Sequence, residues 1–162
     1  MKLISLLVVF LTLNLSNDLL IIRGLYPQAA KSEQMNNELV TKLTSVTKES
    51  DKILVAYKGA SLALKAKFAN HISDKISNIK EGATLIDFAV ACEPTNVEMR
   101  LIRLSIQENV PLIVNYRKNI KEDKDYLMAH YQDQTDELKR YMNKFIEQSK
   151  SFTDDEKKDI IK

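Results

Sequence analysis

Met35, Leu39, Val40, Leu43 and Val46 recur at spacings of three and four, which on a helix of about 3.6 residues per turn puts all five on one stripe. Such a stripe needs a partner. The next run, residues 53–68, is dense in the helix formers Ala, Leu and Lys, and Ser50 and Asp51 before it offer N-cap oxygens. Residues 70–73 read as a connection, after which Asp74 opens a third helix carrying Ile76, Ile79, Ala83, Ile86, Ala89 and Val90. That helix must close before Pro94, because proline disfavours helical backbone at the residue preceding it.

A fourth helix begins at Val97, with Leu101, Ile102, Leu104 and Ile106 apolar and Arg100 and Arg103 between them; Asn109 and Pro111 end it. Residues 112–131 read as one longer helix or two short ones, with Ile113, Tyr116, Ile120, Leu127, Met128 and Tyr131 as apolar members. Leu138, Tyr141, Met142, Phe145 and Ile146 give the cleanest amphipathic pattern, behind a cap at Thr135. Thr153 followed three residues later by Glu156 is a capping-box pattern for a terminal helix that has only Ile160 and Ile161 to bury. No segment shows the period-two alternation of a strand. The pattern predicts an all-α fold of six to seven helices, paired as antiparallel hairpins in a helical array or bundle.

Composition narrows this further. Three glycines and three prolines leave few places to turn, and 162 residues suffice for one core. With 24 basic against 22 acidic residues the formal charge is only +2, so no long-range field gathers nucleic acid or an anionic membrane, and no polyanion partner is expected. Residues 3–13, LISLLVVFLTL, form an uncharged apolar core behind Lys2, the pattern of an export signal and too short to span a bilayer comfortably. The reading is therefore a signal peptide at 1–16, cut near Ser16 or Asn17 with the Ala29–Ala30 neighbourhood as a later alternative, and a single all-α domain at 17–162 in the periplasm or outside the cell. Membrane contact is expected only if the N-terminal segment is retained, which would make the chain membrane-tethered. Cys92, alone and followed by Pro94, reads as a core thiol with no disulfide and no lipid.

The stretch EGATLIDFAVACEPTNVEMRLIRL resembles the second helix of a tetratricopeptide repeat passing into the first helix of the next. That resemblance gives Ala89 a packing role and Pro94 a helix-ending role, and Gly59 in LVAYKGASLALKAKF resembles the small position of a first repeat helix. It departs from the pattern in the 35-residue spacing from Gly59 to Pro94, which places an insertion at 70–77, and at Arg100, Arg103 and Leu104. The order of segments, with YPQAAKSE, AYKGASLALKAK, PTNVEMRLIRLSIQENVP and NYRKNIKEDK after the apolar start, is similar to an uncharacterised family of small exported bacterial helical proteins, which implies a complete chain and lends no activity.

Chemistry is mostly excluded. His71 and His130 lack partners at the ligand spacings of a closed zinc site, the glycines make no phosphate cradle, and GxSxG is absent. No metal and no cofactor is expected. The polar residues that stand out are Lys58, Arg100, Arg103, Gln107, Asn115, Tyr116 and Asn119, several of them inside otherwise apolar helices. Burying a charge costs several kcal/mol unless it is paired. Either Glu98, Glu108 or Asp123 satisfies the arginines internally, or the set lines a groove whose donors meet a carboxylate. The function expected is a non-catalytic binding or assembly role toward a protein or peptide. An enzyme would instead need a deep pocket where Arg100, Arg103, Tyr116 and Asp123 converge.

Overall fold

The computed structural model describes residues 18–160, and the proposed signal segment lies outside them. The described chain is all-helical. Helix α1 covers residues 18–29. It is followed by α2 (Glu33–Lys42), α3 (Lys52–Phe68), α4 (Ile72–Cys92), α5 (Val97–Gln107), a 3-10 turn (Leu112–Val114), α6 (Ile120–His130), α7 (Asp136–Gln148) and α8 (Asp154–Ile160). The eighth helix beyond the expected six to seven is α1, whose Ile22, Tyr26 and Ala29 are buried in the core. Among the described residues no helix is long and apolar enough to cross a membrane.

Caps set several boundaries as the sequence predicts. Asp51 accepts from the Ile53 N–H at 3.0 Å, Thr135 from Leu138 at 3.3 Å, and Thr153 and Glu156 exchange hydrogen bonds at 2.8 and 3.2 Å. Asn96 starts α5 by accepting from Met99. The terminal helix buries Ile160 behind a buried Phe152.

Hairpin α3–α4 is the tightest pair. A Cβ on Gly59 would lie 2.6 Å from the Gly82 carbonyl oxygen, and one on Gly82 would lie 2.7 Å from the Ala63 nitrogen. The two backbones therefore touch where both side chains are absent, and Ala56, Ala60, Ala63, Ala83 and Ala89 continue the close seam.

Two buried apolar clusters meet on α5. Successive helical residues point about 100° apart, so Met99, Ile102 and Ile106 face one way and Val97, Leu101 and Leu104 the opposite way. The first three join the core built by α1–α4, and the second three join the core of α6–α8. Between these apolar faces run two polar edges: Glu98 with Ser105 on one side, Arg100 with Arg103 and Gln107 on the other. Because α5 is central, both edges are covered by neighbouring helices, and each must be satisfied there.

Three expectations need correction. Cys92 is exposed, because Ala89 and Val90 take the core-facing positions of the last turn of α4 and leave Cys92 on its outer side. Helix α2 stops at Lys42, so Leu43 and Val46 enter the core from a turn. No helix covers 112–119 beyond one 3-10 turn, since Asn115 adopts a left-handed backbone (φ 54°) that ends the turn, and Ile113 is 81% exposed.

Candidate functional site

The Arg100 edge of α5 faces α6, and Asp123 in the first turn of α6 is completely buried against it. Arg103 grips that carboxylate as a fork, Nε to Oδ2 at 2.7 Å and Nη2 to Oδ1 at 2.6 Å. Arg100 adds Nη1 to the same Oδ1 at 3.0 Å and to Glu122 at 2.9 Å. Its Nε donates to the Pro94 carbonyl at 2.7 Å, and its guanidinium lies 4.2 Å from the Tyr126 ring centre. The donors of both arginines are thus directed at groups of this chain.

The rest of the cluster follows from the same register. Tyr116 donates to Asp87 of α4 at 2.9 Å, and Asp87 stands 3.8 Å from Arg103. Asn119 donates to Glu122 at 2.9 Å and accepts from Gln107 at 3.4 Å. Gln107 is fully buried, and its Oε1 has no partner among the described residues. Burial opposes the charge of Arg103, but the hydrogen bond and charge of Asp123 outweigh it and raise the pKa. Hydrogen bonds from Arg100 and then Asn119 hold Glu122 below the usual carboxylate range, and burial followed by the charge of Asp87 pushes the Tyr116 phenol well up.

Five of the seven residues singled out from sequence therefore converge: Arg100, Arg103, Gln107, Tyr116 and Asn119. The other two lie apart. Lys58 on α3 donates to the carbonyls of Thr44 and Val46 just beyond α2, where a cation meets the partial negative charge of a helix end. Asn115 is exposed, and its role is the turn in which its N–H bonds the Leu112 carbonyl.

The opposite edge of α5 holds a second network that sequence reasoning missed. Glu98 accepts from Arg23 Nε of α1 at 2.7 Å and from the Tyr57 hydroxyl of α3 at 2.7 Å, and Tyr57 also meets Tyr141 of α7 at 3.2 Å. Tyr26 shares a 2.8 Å hydrogen bond with Ser105. Burial raises the Tyr57 and Tyr141 phenols far above their ordinary value and pushes Tyr26 up to about 12. Glu108 is taken by Ser149 at 2.6 Å and Ser151 at 3.0 Å. Of the three carboxylates considered for the arginines, Asp123 alone serves them.

An open cavity of about 380 Å³ lies elsewhere, between the start of α2, the end of α3 and the start of α4. Its charged lining, Glu33, Asp74 and Lys65, sits at helix ends where each charge is opposite in sign to the local partial charge and so stabilises its helix. Among the described residues no three of His, Cys, Asp and Glu are placed to hold a metal ion. No protein family matches the chain, and no curated protein or solved structure matches it.

Proposed function

We propose that the chain is an exported, non-catalytic helical protein of the periplasm or cell exterior, whose role is binding to or assembling with a protein or peptide. The observation that supports this best is the pairing of Arg100 and Arg103 with the buried Asp123: the donors that would orient a substrate are occupied by the fold itself. The stacked antiparallel hairpin α3–α4, with Gly59 and Ala89 at close-packed positions, fits a tetratricopeptide-like array. Placement of Arg23 and Tyr26 in buried networks favours cleavage ahead of residue 18 over a cut at Ala29–Ala30, which would remove both from the core.

A fusion to a reporter active only outside the cytoplasm tests export, with intact-mass measurement of the mature chain. Reporter activity and a mass lacking about residues 1–16 are expected. An inactive fusion contradicts export. A full-length mass in the membrane fraction favours the tethered form.

A further inference from the structure

The two most exposed large apolar side chains among the described residues are neighbours, Leu112 at 77% and Ile113 at 81%. They are not a loose loop. Val110 and Tyr116 on either side are buried in the first core, Val114 packs against it, and Tyr116 is further tied to Asp87. Between these anchors Pro111 fixes one end of the turn, the Val114 N–H bonds the Pro111 carbonyl at 3.1 Å, and Asn115 N–H bonds the Leu112 carbonyl at 3.0 Å. The fold therefore holds two aliphatic side chains outward on an anchored base, and no contact among the described residues requires it.

Cations flank that base in the chain and in the fold. Arg117 and Lys118 are exposed directly after Tyr116 and make no ion pair with a carboxylate among the described residues. Lys150, just past the end of α7, donates to Asn109, two residues before Pro111, at 3.3 Å. The acidic neighbours are already engaged, Asp87 by Tyr116 and Arg103, and Glu122 by Arg100 and Asn119. A projecting aliphatic tip with the exposed cations Arg117, Lys118 and Lys150 close by in the fold is complementary to a surface that is apolar beneath a layer of phosphates.

We propose that the Leu112–Ile113 turn inserts into the outer part of an anionic phospholipid bilayer, with Arg117, Lys118 and Lys150 on the headgroup phosphates. This contact is local and does not depend on net charge. It also lies away from the start of α1. Arg23 pairs with Glu98 and Tyr26 with Ser105, so α1 runs parallel to α5 and its start lies at the end of α5 away from the turn. The inference goes beyond the proposed function and does not rest on it.

The chain has no tryptophan, so Ile113→Trp creates a single reporter at the tip. The full chain carrying it is mixed with vesicles of phosphatidylglycerol and phosphatidylcholine, and with phosphatidylcholine alone. Expected are a blue-shifted emission with the anionic vesicles and quenching by lipids brominated in the acyl chains. Ile72→Trp, placed at the exposed start of α4, should stay unshifted. Adding Arg117→Gln with Lys118→Gln to the Ile113→Trp chain should weaken apparent binding about 30-fold, from about 1 kcal/mol per basic residue, and adding Leu112→Ser should reduce the shift. The proposal is overturned by water-like emission of Ile113→Trp on anionic vesicles, by equal shifts on neutral vesicles, or by an equal shift of Ile72→Trp. A shift that grows with protein concentration without vesicles would assign the turn to a second copy of the chain instead.

Discussion

Asp123 and Arg103 form a two-pronged ion pair across the α5–α6 contact, at 2.6 and 2.7 Å, with the carboxylate fully buried. Arg100 completes it from the next turn of the same edge. Removal of one member of such a pair leaves a buried charge without compensation, which is far more costly than the pair is worth. The cluster thus reads as the polar fastening between the two cores.

Because α5 belongs to both cores, damage on either face should be felt by the whole molecule. Leu101→Ala and Ile102→Ala, adjacent in sequence and buried on opposite sides, should each cost about 2–5 kcal/mol. Urea unfolding followed by far-ultraviolet circular dichroism should show one transition in both variants. A biphasic curve in either would mean that the two cores unfold separately.

The glycines should respond with opposite signs. Gly82→Ala gains helix propensity but drives a methyl into the Ala63 backbone at 2.7 Å, so it should destabilise by about 1–3 kcal/mol. Gly24→Ala in α1 has nothing within 4 Å and should stabilise by about 0.5–1 kcal/mol. Thermal midpoints of the two variants check the contrast.

Alkali should unfold the protein through its buried phenols. Burial holds Tyr26 at about 12 against an ordinary value of 10.0, and Tyr57 and Tyr141 higher still. A group with a raised folded pKa supports folding fully below its unfolded value, and that support is lost as the pH climbs toward the folded value. Stability should therefore be flat just below pH 10 and decline above it. Phenolate absorbance from these tyrosines should rise together with the loss of helix. A rise in absorbance that precedes the loss of helix would contradict the burial.

Helix α1 should be required for folding. A chain starting at residue 17 keeps Arg23 on Glu98 and Tyr26 on Ser105. One starting at residue 31 leaves Glu98 short of its cation and exposes the core under Ile22 and Ala29. The first should unfold cooperatively, while the second should be protease-sensitive with no sharp transition.

What could be read from the sequence was local. The caps at Asp51, Thr135 and Thr153 and the stop before Pro94 depend on neighbours within four residues, and they stand where the pattern places them. Convergence of Arg100, Arg103, Gln107, Tyr116 and Asn119 was partly legible, since polar residues at helical spacing inside an apolar helix share an edge. Their acceptors were harder to name. Asp123 was the one of three carboxylates farthest along the chain from the arginines, 20 residues from Arg103, and Asp87 carries no signal that links it to Tyr116. The Glu98 network joins Arg23, Tyr57 and Tyr141, separated by tens of residues, and only the packing of four helices brings them together. The same holds for Gly82 opposite Gly59. The side of Cys92 is not legible because a small apolar residue near other apolar residues fits either side of a helix end, and that of Ile113 is not because apolar character alone does not enforce burial: the left-handed Asn115 ends the turn and leaves Ile113 exposed.

The central claim is that Arg103 and Asp123 act on each other. A double-mutant cycle with Arg103→Met, Asp123→Asn and the pair, read by urea denaturation, measures that directly. The account predicts a coupling of about 2 kcal/mol or more, with the double variant less destabilised than the two single effects combined. Additivity within about 0.5 kcal/mol, with Arg103→Met as stable as the parent, would contradict it and return Arg103 to solvent or a ligand.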